Sequence, residues 1–267
     1  ILASGMNAPL WLAVPAGGAI SAIAGIGFSL PALRLSGFYL CFATLACLKI
    51  MEFIFIRWKG LTGGAEGISF PEAVFPGQAL KNDMTLYYIV FILLALMALS
   101  AVNLMRSRFG RAFLAVRDDG EVAASLGIPV FNYKLLSFAV SSFYTGVAGA
   151  LFAYYSREIF PGDFTLAFSV ILIAMIIIGG MGSVRGSIYG AVVLVLLKET
   201  SIYGERLLSD MFDISIKAAS LYAFAVGLLM VLFIMFKPKG LAGIRDDIGS
   251  ILRSWPFSQG FNHGIKR

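Results

Sequence analysis

Few residues in this 267-residue sequence are of types that act on a substrate, and their spacing narrows the field further. The single histidine, His263, lies in a polar tail, so neither a histidine metal site nor a histidine general base is expected. Cys41 and Cys47 stand six apart in one apolar segment, which on a helix turns them to different faces. They read as small packing residues rather than a disulfide or metal pair. Lys49 and Glu52 are three apart towards the end of the same segment. Ionisable side chains there are costly and often functional, but a snorkelling, paired structural role serves equally well. Thr44, deeper in that segment, either lines a pathway or bonds back to its own helix.

Two glycine-rich stretches invite chemical readings. GGMGSVRGSIYG suggests a phosphate loop, but such a loop needs a Lys followed by Ser or Thr after a strand, and neither is present. The physical reading is different. Gly182, Gly186 and Gly190 recur every four residues, which would put them on one helical face for close backbone approach. Gly179 and Gly180 permit a break in the helix, tolerated at membrane depth only inside protein or beside a wet cavity. The second stretch, LTGGAEGI, is either a flexible connector or the mouth of a pathway formed by Thr62, Gly63, Gly64 and Glu66. Backbone N–H groups freed at such glycines would be able to meet a carboxylate.

The elements that carry these residues belong in a bilayer. Charged residues make up 13% of the chain, against roughly a quarter in a soluble domain. Mean hydropathy is +0.86. Continuous apolar runs such as Phe164 to Ile178 and Tyr222 to Phe236 exclude the alternating pattern of a β-barrel. The expected fold is all-α, a polytopic transmembrane bundle of about seven apolar segments: Pro9 to Leu30, Gly37 to Ile56, Met84 to Leu104, Leu135 to Tyr155, Phe164 to Ile178, Ile188 to Leu197 and Ala218 to Phe236. The fifth is interrupted by the GGMGSVRGS stretch before the sixth resumes. The chain opens on Ile1 with no signal-peptide design, so further N-terminal spans are expected to precede it.

The net charge of +6 is not a nucleic-acid signal, because the bases sit in juxtamembrane clusters. Arg106, Arg108, Arg111 and Arg117 follow the third span; Lys237, Lys239, Arg245 and Arg253 follow the last. Four segments between the clusters place both on the cytoplasmic side, with Arg185 also inside. Arg57 and Lys59, beside Trp58, then fall outside as interfacial anchors. Between Arg106 and Ile128 the chain mixes bases with apolar residues, and Glu121 to Leu126 reads as an Ala-rich helical turn ended by Gly127, with Pro129 barring continuation. The bland reading is a solvated loop. The sharper one is a surface docking element that offers Phe113, Leu114, Val122 and Leu126 to a partner.

SRFGRAFLAVRDDGEVAASLGIPVFNYKLLSF resembles the cytoplasmic loop of branched-chain amino acid ABC-importer permeases of the LivM type. In that family the loop precedes a helix rich in small residues, matched here by Ser142, Gly146, Gly149 and Ala150. RLSGFYLCFATLACLKIMEF, LTGGAEGI, SVILIAMIIIGGMGSVRGSIYGA and FKPKGLAG follow the family's order over most of residues 31 to 243. ABC importers carry an EAA---G pattern that docks on the ATPase. Glu121, Ala123, Ala124 and Gly127 resemble it, although Val122 separates the Glu from the Ala pair. The resemblance implies that Arg111, Arg117, Asp118, Glu121, Ala124 and Gly127 couple to an ATPase.

It further implies a non-catalytic permease subunit of an ATP-driven importer, at residues 1–243 with a cytoplasmic basic tail at 244–267. The expected partners are a second permease in a heterodimer, two cytoplasmic ATPases, a periplasmic or lipid-anchored binding protein and membrane lipid, without nucleic acid, metal or cofactor. The expected location is the bacterial inner membrane. Branched-chain amino acids are the first substrate expectation; urea, amides, nucleosides and aromatic acids fit the same pattern. An ion-coupled secondary transporter would need mid-depth carboxylates, and the spans offer only Glu52 near an end. A membrane-embedded enzyme would need His pairs or clustered Asp and Glu, which are lacking.

Overall fold

A computed structural model describes residues 9–33, 38–69, 74–75, 78–79, 83–212, 218–237 and 240–243. Arg34, Lys239, Arg245, Arg253, His263 and the tail 244–267 lie outside the described residues. The helices are α1 (Leu10–Ala32), α2 (Phe38–Arg57), the short α3 (Lys59–Thr62), α4 (Asp83–Arg106), α5 (Arg108–Asp118) and α6 (Gly120–Ser125). They continue with α7 (Val130–Ser156), α8 (Leu166–Gly179), α9 (Val184–Phe212) and α10 (Ala218–Phe236).

Among the described residues, α1, α2, α4, α7, α9 and α10 are long and apolar enough to cross a membrane. The all-α polytopic architecture therefore stands, and the chain is a multi-pass membrane protein. α8 is the seventh apolar segment, but its 14 residues make it short. At about 1.5 Å per residue it reaches roughly 21 Å, against roughly 30 Å of hydrocarbon. Two boundaries move from their expected places. α7 begins at Val130, five residues early, because Pro129 takes the N-cap position rather than merely ending the preceding turn. α9 starts at Val184 and runs through Lys198 and Glu199 to Phe212. Both charged residues are exposed, and a helix carries straight-chain polar residues on an open face at little cost.

The chain forms two compact units, Ile1–Thr165 and Leu166–Arg267. In the first, α1 runs antiparallel along α7, with Gly17 beside Ala150 and Gly25 beside Ser142. Leu10 and Val14 of α1 are buried with Val147 and Tyr154 of α7, and Leu86, Ile89, Leu93 and Met97 of α4 pack against them. In the second, α8, α9 and α10 enclose Ala174, Ile178, Leu194 and Val226. Large apolar side chains such as Tyr39 and Phe53 on α2, or Leu96 and Leu99 on α4, remain exposed. In water such a surface would aggregate; in a bilayer it meets acyl chains as apolar as itself.

Strands are confined to two residues each among the described residues. β1 (Ile68–Ser69) pairs antiparallel with β4 (Glu158–Ile159), and β2 (Val74–Phe75) with β3 (Gln78–Ala79). The β1–β4 pair joins the segment after α2 to the segment after α7, which fixes one end of the first unit. The α5–α6 pair packs on α7 beside its N-terminal turns. Arg57 and Lys59 therefore sit at the opposite end of the first unit from Arg106, Arg108, Arg111 and Arg117.

Candidate functional site

The α5–α6 element is built by caps. Ser107 ends α4 and starts α5: its Oγ accepts from Phe109 N–H at 3.2 Å and donates to the Leu104 carbonyl at 2.7 Å. Gly110 is buried against the Met105 backbone, where a Cβ would collide with the carbonyl group of Met105. The turn can therefore be this tight only with glycine. α5 is amphipathic. Ala112 is buried, Phe113 and Leu114 are half-buried, and Arg111, Arg117 and Asp118 face outward. Phe113 meets the Tyr133 ring of α7 edge-on at 6.1 Å, which anchors α5 on α7.

Asp119 breaks the helix in extended geometry, and its Oδ1 accepts from the N–H groups of Glu121 and Val122 at 2.9 and 3.1 Å. This cap starts α6. At the other end Gly127 takes φ +80°, its N–H reaching Ala124 O while Ile128 N–H reaches Ala123 O, both at 3.0 Å. That pair of bonds is a Schellman motif. Ala123 is buried, whereas Val122 and Leu126 are 54% and 73% exposed. These two carry the apolar surface that α6 presents. Arg117 and Asp118 bond to each other at 2.7 Å with both side chains largely exposed, which contributes little to stability. Arg111 reaches back to the Arg106 carbonyl at 3.4 Å. Glu121 and Ala124 are exposed on α6.

The expected pathway residues at the other end of the first unit are already engaged. Lys49 and Glu52 form an ion pair at 2.7 Å. Thr44 Oγ1 donates to the Cys41 carbonyl at 2.8 Å, which is the back-bonded arrangement. The Thr62 hydroxyl lies 2.5 Å from Phe55 O and 2.9 Å from Trp58 O, tying the loop to the end of α2. The glycine N–H groups are not freed for a carboxylate. Gly63 N–H bonds to Lys59 O, Gly64 N–H to Thr62 Oγ1 and Gly67 N–H to Gly64 O. Gly63, Gly64 and Gly67 all take positive φ, and a Cβ on Gly67 would strike the Ile159 carbonyl of β4. Glu66 is exposed in the 3₁₀ turn Gly64–Glu66. Arg57 lies over the Phe53 ring at 5.5 Å, next to exposed Trp58, as an interfacial anchor does.

The Gly-rich break is a corner between antiparallel helices. A Cβ on Gly179 would collide with Gly186 O, and one on Gly190 with Met175 O, so α8 and α9 touch backbone to backbone. Gly182 is not part of this face. It sits in the turn before Val184 with φ +83°, so the four-residue spacing that groups it with Gly186 and Gly190 crosses a helix boundary. Ser183 caps α9, accepting from Gly186 N–H at 3.1 Å. Gly179 and Gly180 are buried. The turn 240–243 folds over them: Gly240 has φ +61°, and a Cβ there would meet Gly180 Cα at 2.5 Å. Leu241 then joins the Ile178 cluster.

Sequence reasoning missed three features. Asp119 and Gly110 make the α5–α6 geometry, and the signal for Asp119 was its place directly before an acidic, Ala-rich turn. The third is a stripe on α1, Gly17, Ser21 and Gly25, which faces Ser142, Gly146 and Ala150 of α7. Both triplets recur every four residues. Gly149, grouped with the small residues of α7 by the family resemblance, has nothing within 4 Å of its Cβ position.

Residues 1–235 match the family model described as branched-chain amino acid transport system / permease component. The high-affinity branched-chain amino acid transport system permease protein LivM of Salmonella typhimurium is 32% identical over 255 residues, covering 86% of this chain and 57% of that protein. The probable LivM permease of Methanocaldococcus jannaschii is 25% identical over 241 residues, covering 87% of this chain and 68% of that protein. LivH of Salmonella typhimurium is 26% identical over 211 residues, 75% of this chain and 63% of that protein. The chain thus spans little more than half the length of the Salmonella LivM relative. No solved structure matches it significantly. The chain belongs to the branched-chain amino acid transport system permease family.

Proposed function

We propose that this chain is the transmembrane subunit of an ATP-driven importer for branched-chain amino acids, a permease that does no bond chemistry of its own. The observation that carries this reading is the α5–α6 element. It is a pair of short helices, capped at Ser107, Asp119 and Gly127, pinned to α7 through Phe113 and presenting Val122 and Leu126 outward. A rigid, partly apolar projection between two spans suits a lever on which an ATPase pushes. Arg111, Arg117, Asp118 and Glu121 supply its polar rim, with the small Ala124 exposed beside them, and ATP-driven closure would move α4 and α7 through it.

In this reading the α5–α6 end is cytoplasmic and the membrane is the bacterial plasma membrane. Residues 1–243 form the permease domain, and 244–267 a cytoplasmic tail. A second permease, two ATPases and an extracytoplasmic binding protein complete the assembly. The binding protein holds selectivity, so the path itself needs only to pass a small zwitterion. Thr62, Gly63, Gly64 and Glu66 then act as a shaped outer rim rather than as free donors, and Thr44 and Glu52 lie on a neighbouring wall. The corner at Gly179, Gly180 and Gly182 keeps α8 and α9 moving as one piece.

Glu121→Lys and Gly127→Leu, reconstituted with the ATPase and binding-protein subunits, test the lever. Both are expected to leave insertion intact and to cut transport per ATP hydrolysed at least tenfold. Normal stimulation of hydrolysis and transport in both would place the docking site elsewhere. Uptake by the purified chain alone, in liposomes without nucleotide, would overturn the whole reading.

A further inference from the structure

The ion pair on α2 is made but only half satisfied. Lys49 Nζ donates to Glu52 Oε2 at 2.7 Å, and the Lys49 side chain is 67% exposed. An ammonium has three N–H groups and a carboxylate two acceptor oxygens. Among the described residues, the other two N–H groups and Glu52 Oε1 make no hydrogen bond.

These groups lie below the headgroups. α2 is 20 residues long, about 30 Å, which matches the hydrocarbon core. Glu52 stands five residues before Arg57, so its Cα is about 7.5 Å below the interface that Arg57 and Trp58 mark. Helical side chains tilt towards the N-terminus, which on α2 leads deeper. The bond to Glu52 therefore keeps the Lys49 ammonium from snorkelling out. Against acyl chains the unmet donors and acceptor would be costly. They call for water, or for a polar group that both gives and accepts hydrogen bonds.

The surface around the pair is apolar. Leu45 and Phe53, four residues to either side of Lys49, share its helical face and are exposed. A charge pair between exposed apolar side chains complements one kind of small solute. That solute carries an ammonium and a carboxylate on one carbon, with an aliphatic side chain. We propose that the Lys49–Glu52 face of α2 is a transient binding station for such a zwitterion, a site that rests on the importer reading above. The carboxylate takes the spare Lys49 N–H groups, the ammonium gives to Glu52 Oε1, and the side chain lies on Leu45 or Phe53. Because the two protein charges cancel, the station holds the solute without trapping it, as passage requires.

The test uses the whole assembly, this chain with its second permease, ATPases and binding protein, in proteoliposomes with ATP and radiolabelled leucine. Lys49→Met with Glu52→Gln removes both charges at similar volume and leaves no unpaired charge in the membrane. Melting temperature and subunit content should then match wild type. The maximal uptake rate should fall about tenfold, while the half-saturating leucine concentration, set by the binding protein, stays unchanged. Ala46→Trp, one turn deeper on the same exposed face, crowds the station without touching the pair and should lower uptake likewise. Wild-type uptake in either variant would overturn the station and leave the importer reading standing. Loss of the second permease from either would give the face to a protein helix and overturn the station as well. Absence of ATP-dependent leucine uptake in wild type would overturn the importer reading, and the station with it.

Discussion

The protein holds two antiparallel helix pairs together with glycine, and it does so in two different ways. A Cβ added to a glycine of α1 would meet side chains of α7: Ser142 at Gly25, Val147 and Phe143 at Gly18, the Ala150 Cβ at Gly17. Only on the α7 side, at Gly146, would it also meet main chain, Gly17 O at 2.9 Å. Between α8 and α9 it would meet main chain: Met175 O at Gly190, Gly186 O at Gly179, and Gly179 O 2.6 Å away at Gly186. In lipid there is little hydrophobic drive between helices, so both seams rest on close packing. A seam against side chains can yield, because a rotamer turns or a smaller residue substitutes. One against carbonyl groups has nothing that yields except the helix itself. The α1 glycines therefore face contacts that can adjust, and the α8–α9 glycines contacts that cannot.

Gly190→Ala should show the largest effect. The new methyl must displace α9 from the Met175 carbonyl, and overpacking of this kind costs about 3 kcal/mol. Thermal unfolding in detergent, read against wild type, should fall sharply, and no small replacement at a neighbouring side chain should restore it. Rescue by Met175→Ala would break the contrast, since that change leaves the obstructing carbonyl in place.

Next comes Gly25→Ala, where the obstacle is the Ser142 side chain. A cost of about 1–2 kcal/mol is expected. Ser142→Gly in the same chain should recover most of it, a coupling that a double-mutant cycle reads directly. Full additivity of the two changes would make the α1–α7 seam as rigid as the other. Gly18→Ala belongs to the same class but should cost less, about 1 kcal/mol. The atoms it meets, Val147 Cγ2 at 2.8 Å and the Phe143 ring edge at 2.9 Å, are far ends of side chains.

How much of this contrast was legible beforehand follows from what each signal depends on. The spans were readable because apolar runs need no tertiary information. The four-residue spacing of Gly186 and Gly190 correctly marked a contact face, yet the same rule swept in Gly182, which the helix start at Val184 excludes. Spacing would also have found Gly17, Ser21 and Gly25, but they lie in a helix so rich in Ala and Gly that the stripe does not stand out. The family resemblance marked Ser142, Gly146, Gly149 and Ala150 as small residues of one helix, but which of them meet α1 depends on which face is covered, and Gly149 lies off that face. Gly240 against Gly180 was beyond reach, since nothing in either segment indicates the other. At Thr62 to Gly67 the glycines were visible as either a connector or a pathway mouth; the bonds of their N–H groups to Lys59 and Thr62 arise only once α3 and the 3₁₀ turn form. Asp119 and Gly110 were passed over because charge drew the eye to Asp118 and the arginines, while the caps set the geometry.

The smallest effect makes the sharpest control. Gly27 lies on α1, two residues beyond Gly25, and nothing stands within 4 Å of its Cβ position. If glycine were kept along α1 for helix flexibility, Gly27→Ala would impair the protein as Gly25→Ala does. If glycine matters only where another helix closes on it, the change adds a methyl facing open space and removes backbone freedom from the unfolded chain. The expected outcome is then a gain of about 0.5–1 kcal/mol, or no change, in unfolding in detergent. Gly149→Ala on α7 should behave alike, since its Cβ position is equally open. A loss at both sites comparable to Gly25→Ala would mean that these spans need to bend. The distinction between a yielding and an unyielding seam would then give way to one between flexible and stiff helices.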